Sequence, residues 1–270
     1  MAQIGGRIAR AHNRSGTLPQ TREWKAVVHL IAEGADVAQI ADATLQAADK
    51  AFARMAKDAG FNEAVWLLTQ LGVAAKKDNP TAHLESVGLK LSPHTSIVEV
   101  ASAIRTALDQ QMTKAGRTSD ISPIASNALV SVITTHLNTK LGGLFEASSG
   151  EIHSALGDLG KQKAFGELTR TFFGRLMGDS LKYFLDKTID THLGEGQRFQ
   201  TRSDSREFRN ALATHCQEAS EIVETFAADW FSKNRFQGDG EIRRDKTEGF
   251  GWYAVEKIRA EMKHRAKIHE

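Results

Sequence analysis

Arg198, Arg202, Arg206 and Arg209 interleave with Phe199 and Phe208 in the stretch GQRFQTRSDSREFR. A guanidinium offers five donors in a plane that matches a carboxylate or a phosphate, and an aromatic ring offers a face on which a base stacks. The stretch therefore fits either a nucleic-acid surface or a dock for an acidic protein. Asp204 and Glu207 dilute its charge, and the plainer alternative is a solvated helix start with local ion pairs. A second basic segment opens the chain: Arg7, Arg10, Arg14 and Arg22 occur in the first 22 residues with no acid among them. Gly5, Gly6, Gly16 and Pro19 work against a continuous helix there. Residues 1–22 thus read as a basic arm. The segment shares the Arg-rich, acid-poor character of a transit peptide, but the glycine pair interrupts the amphipathic turn that such a peptide needs.

Other residue types that do chemistry are present without the partners they need. His215 and Cys216 suggest a base and a nucleophile, yet neighbours on a helix diverge by about 100° and do not face one another. Phe208, Leu212, His215, Ala219, Ile222 and Phe226 recur at spacings of four and three, which predicts an apolar seam with His215 inside it. His215 with Glu218, or Glu261 with His264, has helical metal-ligand spacing, but a di-iron site needs two Glu-x-x-His motifs and further carboxylates. In RFQGDGEIRRDKTEGFGWYAVEK, counting an EF-hand from Asp239 puts Arg243 where an acid belongs and Phe250 where the bidentate glutamate belongs. Gly249 and Gly251 follow no strand and lack a Gly-Lys-Ser/Thr signature. No catalytic residue, metal site or cofactor is expected, and this segment reads as a connector between two helices.

The elements that position these residues are helical. From Thr21, the residues Trp24, Val27, Val28 and Ile31 share one face, Gly34 stops the helix, and Asp36 caps a long one running to Gly60. A helix fits residues 62–75, and Asp78 to Pro80 opens a short one closed by Gly88. Ser92-Pro93 and Ser122-Pro123 each place a capping hydroxyl before a proline suited to a first turn, so both predict helix starts. Those helices stop near Gly116 and at Gly142-Gly143. An aromatic-rich helix follows, with Phe165, Leu168, Phe172, Leu176 and Phe184 along one side, and Gly174 and Gly178 one turn apart where another helix approaches. Asp245, with Glu248 three residues on, caps a last helix whose packing stripe is Trp252, Val255, Arg259 and Met262.

Together these signals predict an all-α fold, a multi-helix bundle with long amphipathic helices and a C-terminal helical hairpin. The expected organisation is a basic arm (1–22), an N-terminal helical region (23–145) and a C-terminal helical region (146–270), the last two being compatible with one continuous domain. With 41% hydrophobic and 25% charged residues, the 270-residue chain has the composition of a folded protein. A formal charge of +2 is too mild to imply nucleic acid or membrane by itself. One cysteine excludes an internal disulfide and fits a reducing cytoplasm, and no apolar run is long enough to span a bilayer. The function that fits is a non-catalytic accessory or adaptor protein binding other proteins in a cytosolic assembly. The alternative is nucleic-acid binding through the arm and an Arg198–Arg209 loop.

Overall fold

The computed structural model describes residues 21–92, 95–116, 119–142 and 147–268, with Lys187 described in its backbone only. Arg7, Arg10 and Arg14 of the basic arm lie outside the described residues, as does the expected boundary at 145–146. Among the described residues the chain is an all-α bundle without strands. Its helices are α1 (Arg22–Ala32), α2 (Val37–Ala47), α3 (Asp49–Met55), α4 (Ala59–Ala74), α5 (Pro80–Ser86) and α6 (Ile97–Ala115). They continue as α7 (Ile121–Lys140), α8 (Ser149–Gly157), α9 (Gln162–Thr191), α10 (Arg202–Ala219), α11 (Glu221–Gln237) and α12 (Arg244–Ile268).

Several helix ends follow from side-chain capping. Thr21, Asp36 and Asn79 accept backbone N–H groups at the starts of α1, α2 and α5. Gly116 ends α6 in the left-handed region at φ +63°. Other boundaries correct the sequence expectations. The long helix after Asp36 breaks at Ala48, and its apolar face continues across the kink through Leu45, Phe52 and Met55. Asp58, not Gly60, marks the next boundary: it caps α4 by accepting Phe61 N–H at 2.8 Å. Gly60 lies in the first turn of α4, where a Cβ would stand 2.6 Å from that of Ser122. Ser96, in a capping box with Glu99, starts α6, in place of Ser92. Ser122 lies inside α7 and donates its hydroxyl to Asp58 at 2.8 Å, tying α7 to the start of α4.

Two helices carry the core. In α4 every residue from Gly60 to Ala74 is buried except Asn62 and Trp66, as expected of a helix apolar on all sides. Helix α9 is buried on several sides through Phe165, Phe172, Phe173, Met177, Leu181 and Leu185, so the single-sided expectation for it was too narrow. Helices α2, α7, α10 and α11 pack on α9, whereas α6, α7 and α12 pack on α4. Phe61 of α4 meets Phe173 of α9 edge-on at 6.4 Å, and Phe173 meets Phe250 of α12 at 6.1 Å, so the buried side chains form one cluster. Gly174 lets α10 approach α9 closely: a Cβ there would come 2.6 Å from Gln217 Oε1.

The connector between α11 and α12 is pinned along its length. Asp239 and Gly240 turn the chain with φ of +50° and +87°. Glu241 then pairs with Lys77, the Ile242 carbonyl accepts from Gln70 Nε2 at 3.2 Å, and Arg244 pairs with Glu63 and covers the Trp66 ring. Phe226 and Trp230 of α11 stack on Phe250 of α12, closing the hairpin, while most of the buried face of α12 lies against α2 and α4. That face is Phe250, Ala254, Val255, Ile258 and Met262, with Trp252 and Arg259 half-buried at its edge.

Candidate functional site

Helix α9 ends at Thr191, and the chain reverses through residues 192–201 into α10. The reversal is held by Gly194 N–H donating to the Phe199 carbonyl at 2.8 Å and Phe199 N–H donating to the His192 carbonyl at 3.1 Å. Phe199 and Phe208 are 3% and 6% exposed with ring centroids 5.4 Å apart, so they anchor the loop to α10 from beneath. Thr201 and Asp204 form a reciprocal capping box at the start of α10. Backbone and side-chain hydrogen bonds from Thr201 hold the Asp204 carboxyl below its ordinary range. Asp204 thus serves the helix end.

The four arginines of this stretch have three different surroundings. Arg198 points back into the protein, its Nη2 donating to the Ala35 carbonyl at 2.9 Å and its Nη1 to the Ile31 carbonyl at 3.3 Å. Its guanidinium lies 5.4 Å and 5.3 Å from the Phe199 and Phe208 ring centres. Burial works against its charge and Asp36 works for it. Arg209 donates Nε to Asp186 at 3.0 Å, Nη2 to Asp190 at 3.1 Å and Nη1 to the Ser205 hydroxyl at 3.0 Å. Arg202 and Arg206 are exposed, and their guanidinium groups have no hydrogen bond or ion pair to another described residue. Both line an open cleft of about 470 Å³ whose other walls are Asp190, Leu193, Ser205 and Arg209.

The charges around this cleft oppose the helices that carry them. Asp190 lies in the last turn of α9, where the aligned peptide dipoles disfavour an anion, and Arg202 lies in the first turn of α10, where they disfavour a cation. Arg202 and Arg206 are also four residues apart on one helix face, a like-charge spacing that costs a few tenths of a kcal/mol. Arg209 is paired with two aspartates, whereas Arg202 and Arg206, which also line the cleft, have no ion pair among the described residues. The arrangement can bind and orient carboxylate or phosphate groups.

The expected Arg198–Arg209 loop is corrected, because the Thr201–Asp204 capping box starts helix α10 at Arg202; the structure brings Arg202, Arg206 and Arg209 together on that helix and places Arg198 elsewhere. The expectation that Phe199 and Phe208 offer stacking surfaces is corrected, because both rings are buried under the loop. The expected seam of α10 is also shifted. The helix ends at Ser220, the buried positions are Phe208, Leu212, Cys216 and Ala219, and His215 is half-buried beside them. Burial pushes the Cys216 thiol up to about 12, so this group is a packed apolar side chain at neutral pH. Glu261 accepts from Arg265 at 2.9 Å, and among the described residues no three His, Cys, Asp or Glu side chains converge as a metal site would require. No helix among them is long and apolar enough to cross a membrane. Asp186 and Asp190 were not singled out in the sequence; the available signal was Asp190, an acid in the last turn of α9 where the helix dipole disfavours it. In comparisons with known proteins, no family model, curated protein or solved structure matches the chain.

Proposed function

We propose that the protein is a non-catalytic helical adaptor that docks an acidic segment of another protein in the Arg202–Arg206 cleft. The observation that carries this is the pair of exposed guanidiniums, without partners among the described residues, beside an arginine already fixed by carboxylates. Charge complementarity of this kind steers encounter and fixes register, which suits a binding module. The nucleic-acid alternative has less support: the rings that would stack on bases are buried, and Arg198 is committed to backbone carbonyls.

The test compares the intact protein with an Arg202→Gln/Arg206→Gln variant. Both positions are exposed, so the variant should fold with stability within about 0.5 kcal/mol of the parent. The parent should bind an acetylated hexaglutamate peptide at low salt, and the variant should bind it at least tenfold more weakly. The parent's affinity should also fall as salt rises, since exposed charges are screened. An oligonucleotide bound more tightly than hexaglutamate at physiological salt, and released by the double substitution, would replace the adaptor with a nucleic-acid-binding protein. Equal peptide binding by parent and variant would remove the cleft from the function.

A further inference from the structure

We infer that Asp190 is a built-in competitor for the cleft: its carboxylate holds the place on Arg209 that a ligand carboxylate takes when an acidic segment docks. The inference rests on the docking role proposed for Arg202 and Arg206 and adds a regulatory contact to it. Three observations lead there. The Asp190 carboxylate is both a wall of the cleft and a hydrogen-bond acceptor of Arg209 Nη2 at 3.1 Å. Its side chain is 72% exposed, so water screens the pair and an incoming anion can exchange with it at small cost. Asp186, the other partner, keeps Arg209 Nε at 3.0 Å and Ser205 keeps Nη1, so the guanidinium stays in place when Asp190 swings away.

The same contact indicates the ligand chemistry. A carboxylate already sits edge-on to Arg209, so the cleft accommodates a side-chain carboxylate in that position. Arg206 and Arg202 stand one and two helical turns from Arg209 toward the start of α10, ready for neighbouring carboxylates of the same segment. An acidic peptide displacing Asp190 therefore gains contacts to three arginines. Asp190 sets a threshold: a lone carboxylate must compete with a tethered one, whereas a run of carboxylates engages Arg202 and Arg206 as well. Affinity should rise more steeply with the number of ligand carboxylates when Asp190 is present.

Titration of the full chain with acetylated hexaglutamate, followed by the Nε–Hε resonances of Arg202, Arg206 and Arg209, tests this. Asp190→Asn should bind the peptide about two- to fivefold more tightly than the parent, the equivalent of an exposed ion pair. It should also bind acetate measurably better, with the Arg209 resonance moving. Asp109→Asn, an exposed charge removed from α6, is the control for net charge and should leave affinity within experimental error. Tightening by both variants would make the effect one of overall charge and overturn the competition. Unchanged or weaker binding by Asp190→Asn, with binding still lost in Arg202→Gln/Arg206→Gln, would overturn the inference and leave the docking role standing. Absence of binding by parent and Asp190→Asn alike would overturn both.

Discussion

Replacing Arg198 with alanine separates a structural arginine from a binding one. The substitution removes the donor to the Ala35 carbonyl at 2.9 Å, the longer one to Ile31 at 3.3 Å, and the cation above Phe199 and Phe208. The Ile31 carbonyl keeps the Gly34 N–H at 3.2 Å, so its loss is partial. A good hydrogen bond from a charged donor contributes about 1.5–3 kcal/mol. The ring contact adds about 0.5–1 kcal/mol, and access of water to a half-buried site trims the sum. With that trimming the expected destabilisation is about 1–3 kcal/mol, which for a chain of this size lowers the melting temperature by about 2–5 °C. Urea unfolding followed by circular dichroism at 222 nm measures it, with the transition midpoint falling and its slope unchanged. Arg198→Lys should recover only part of the loss, because an ammonium on a single stem cannot bridge two carbonyls and cover both rings. A wild-type midpoint combined with weakened hexaglutamate binding would refute the argument and return Arg198 to the binding surface.

Other consequences of the packing are open to the same kind of measurement. Gly60→Ala should destabilise by about 1–3 kcal/mol in urea unfolding, although alanine is favoured over glycine in an ordinary helix by about 1 kcal/mol, because its Cβ meets Ser122 at 2.6 Å; a stabilised variant would show that α4 and α7 are not in close contact. Cys216 should resist a disulfide exchange reagent at pH 8 in the native protein and react at once in urea, its thiol being buried with its pKa raised to about 12; rapid native labelling would contradict that burial. His83 and His136 have their pKa values lowered chiefly by burial, so the unfolded chain binds more protons below about pH 6.5. Stability is then fully present above that value and declines as pH falls toward the depressed native values. Unfolding midpoints at pH 7.5 and 5.5 should differ, and His83→Gln/His136→Gln should narrow the difference; an unchanged difference would assign the pH dependence to other groups.

Helix type was legible from the sequence because cap residues and apolar periodicity agreed along most of the chain. The errors fall where a local signal had a tertiary competitor. Ser122-Pro123 looked like a cap and a first turn, but Asp58 accepts the Ser122 hydroxyl from another helix, and α7 starts one residue before that serine. Gly60 looked like a stop, but its missing side chain serves the contact with Ser122, and the break is made by Asp58. His215 fitted a spacing that ran through Ser220, where the helix ends, so the count continued across two helices and placed the wrong neighbour in the seam.

The arginine stretch shows the same limit at the level of chemistry. The sequence grouped Arg198, Arg202, Arg206 and Arg209 by proximity alone, and the cleft contains the last three. Composition could not tell a committed arginine from an available one, because that depends on what stands opposite. Arg198 faces the end of α1 and the turn after it, more than 160 residues earlier in the chain. Arg209 faces Asp186 and Asp190 near the end of α9, and Asp190, in the last turn, works against its own helix dipole. The charges that do not suit their own helices supply the better signal. Asp190 is unfavourable for α9 and Arg202 for α10, and the two come together only because the 192–201 loop brings those helix ends to one cleft. Where a helix-end charge opposes its own dipole, compensation can come from across the turn: Asp190 has it from Arg209, whereas Arg202 has no ion pair among the described residues.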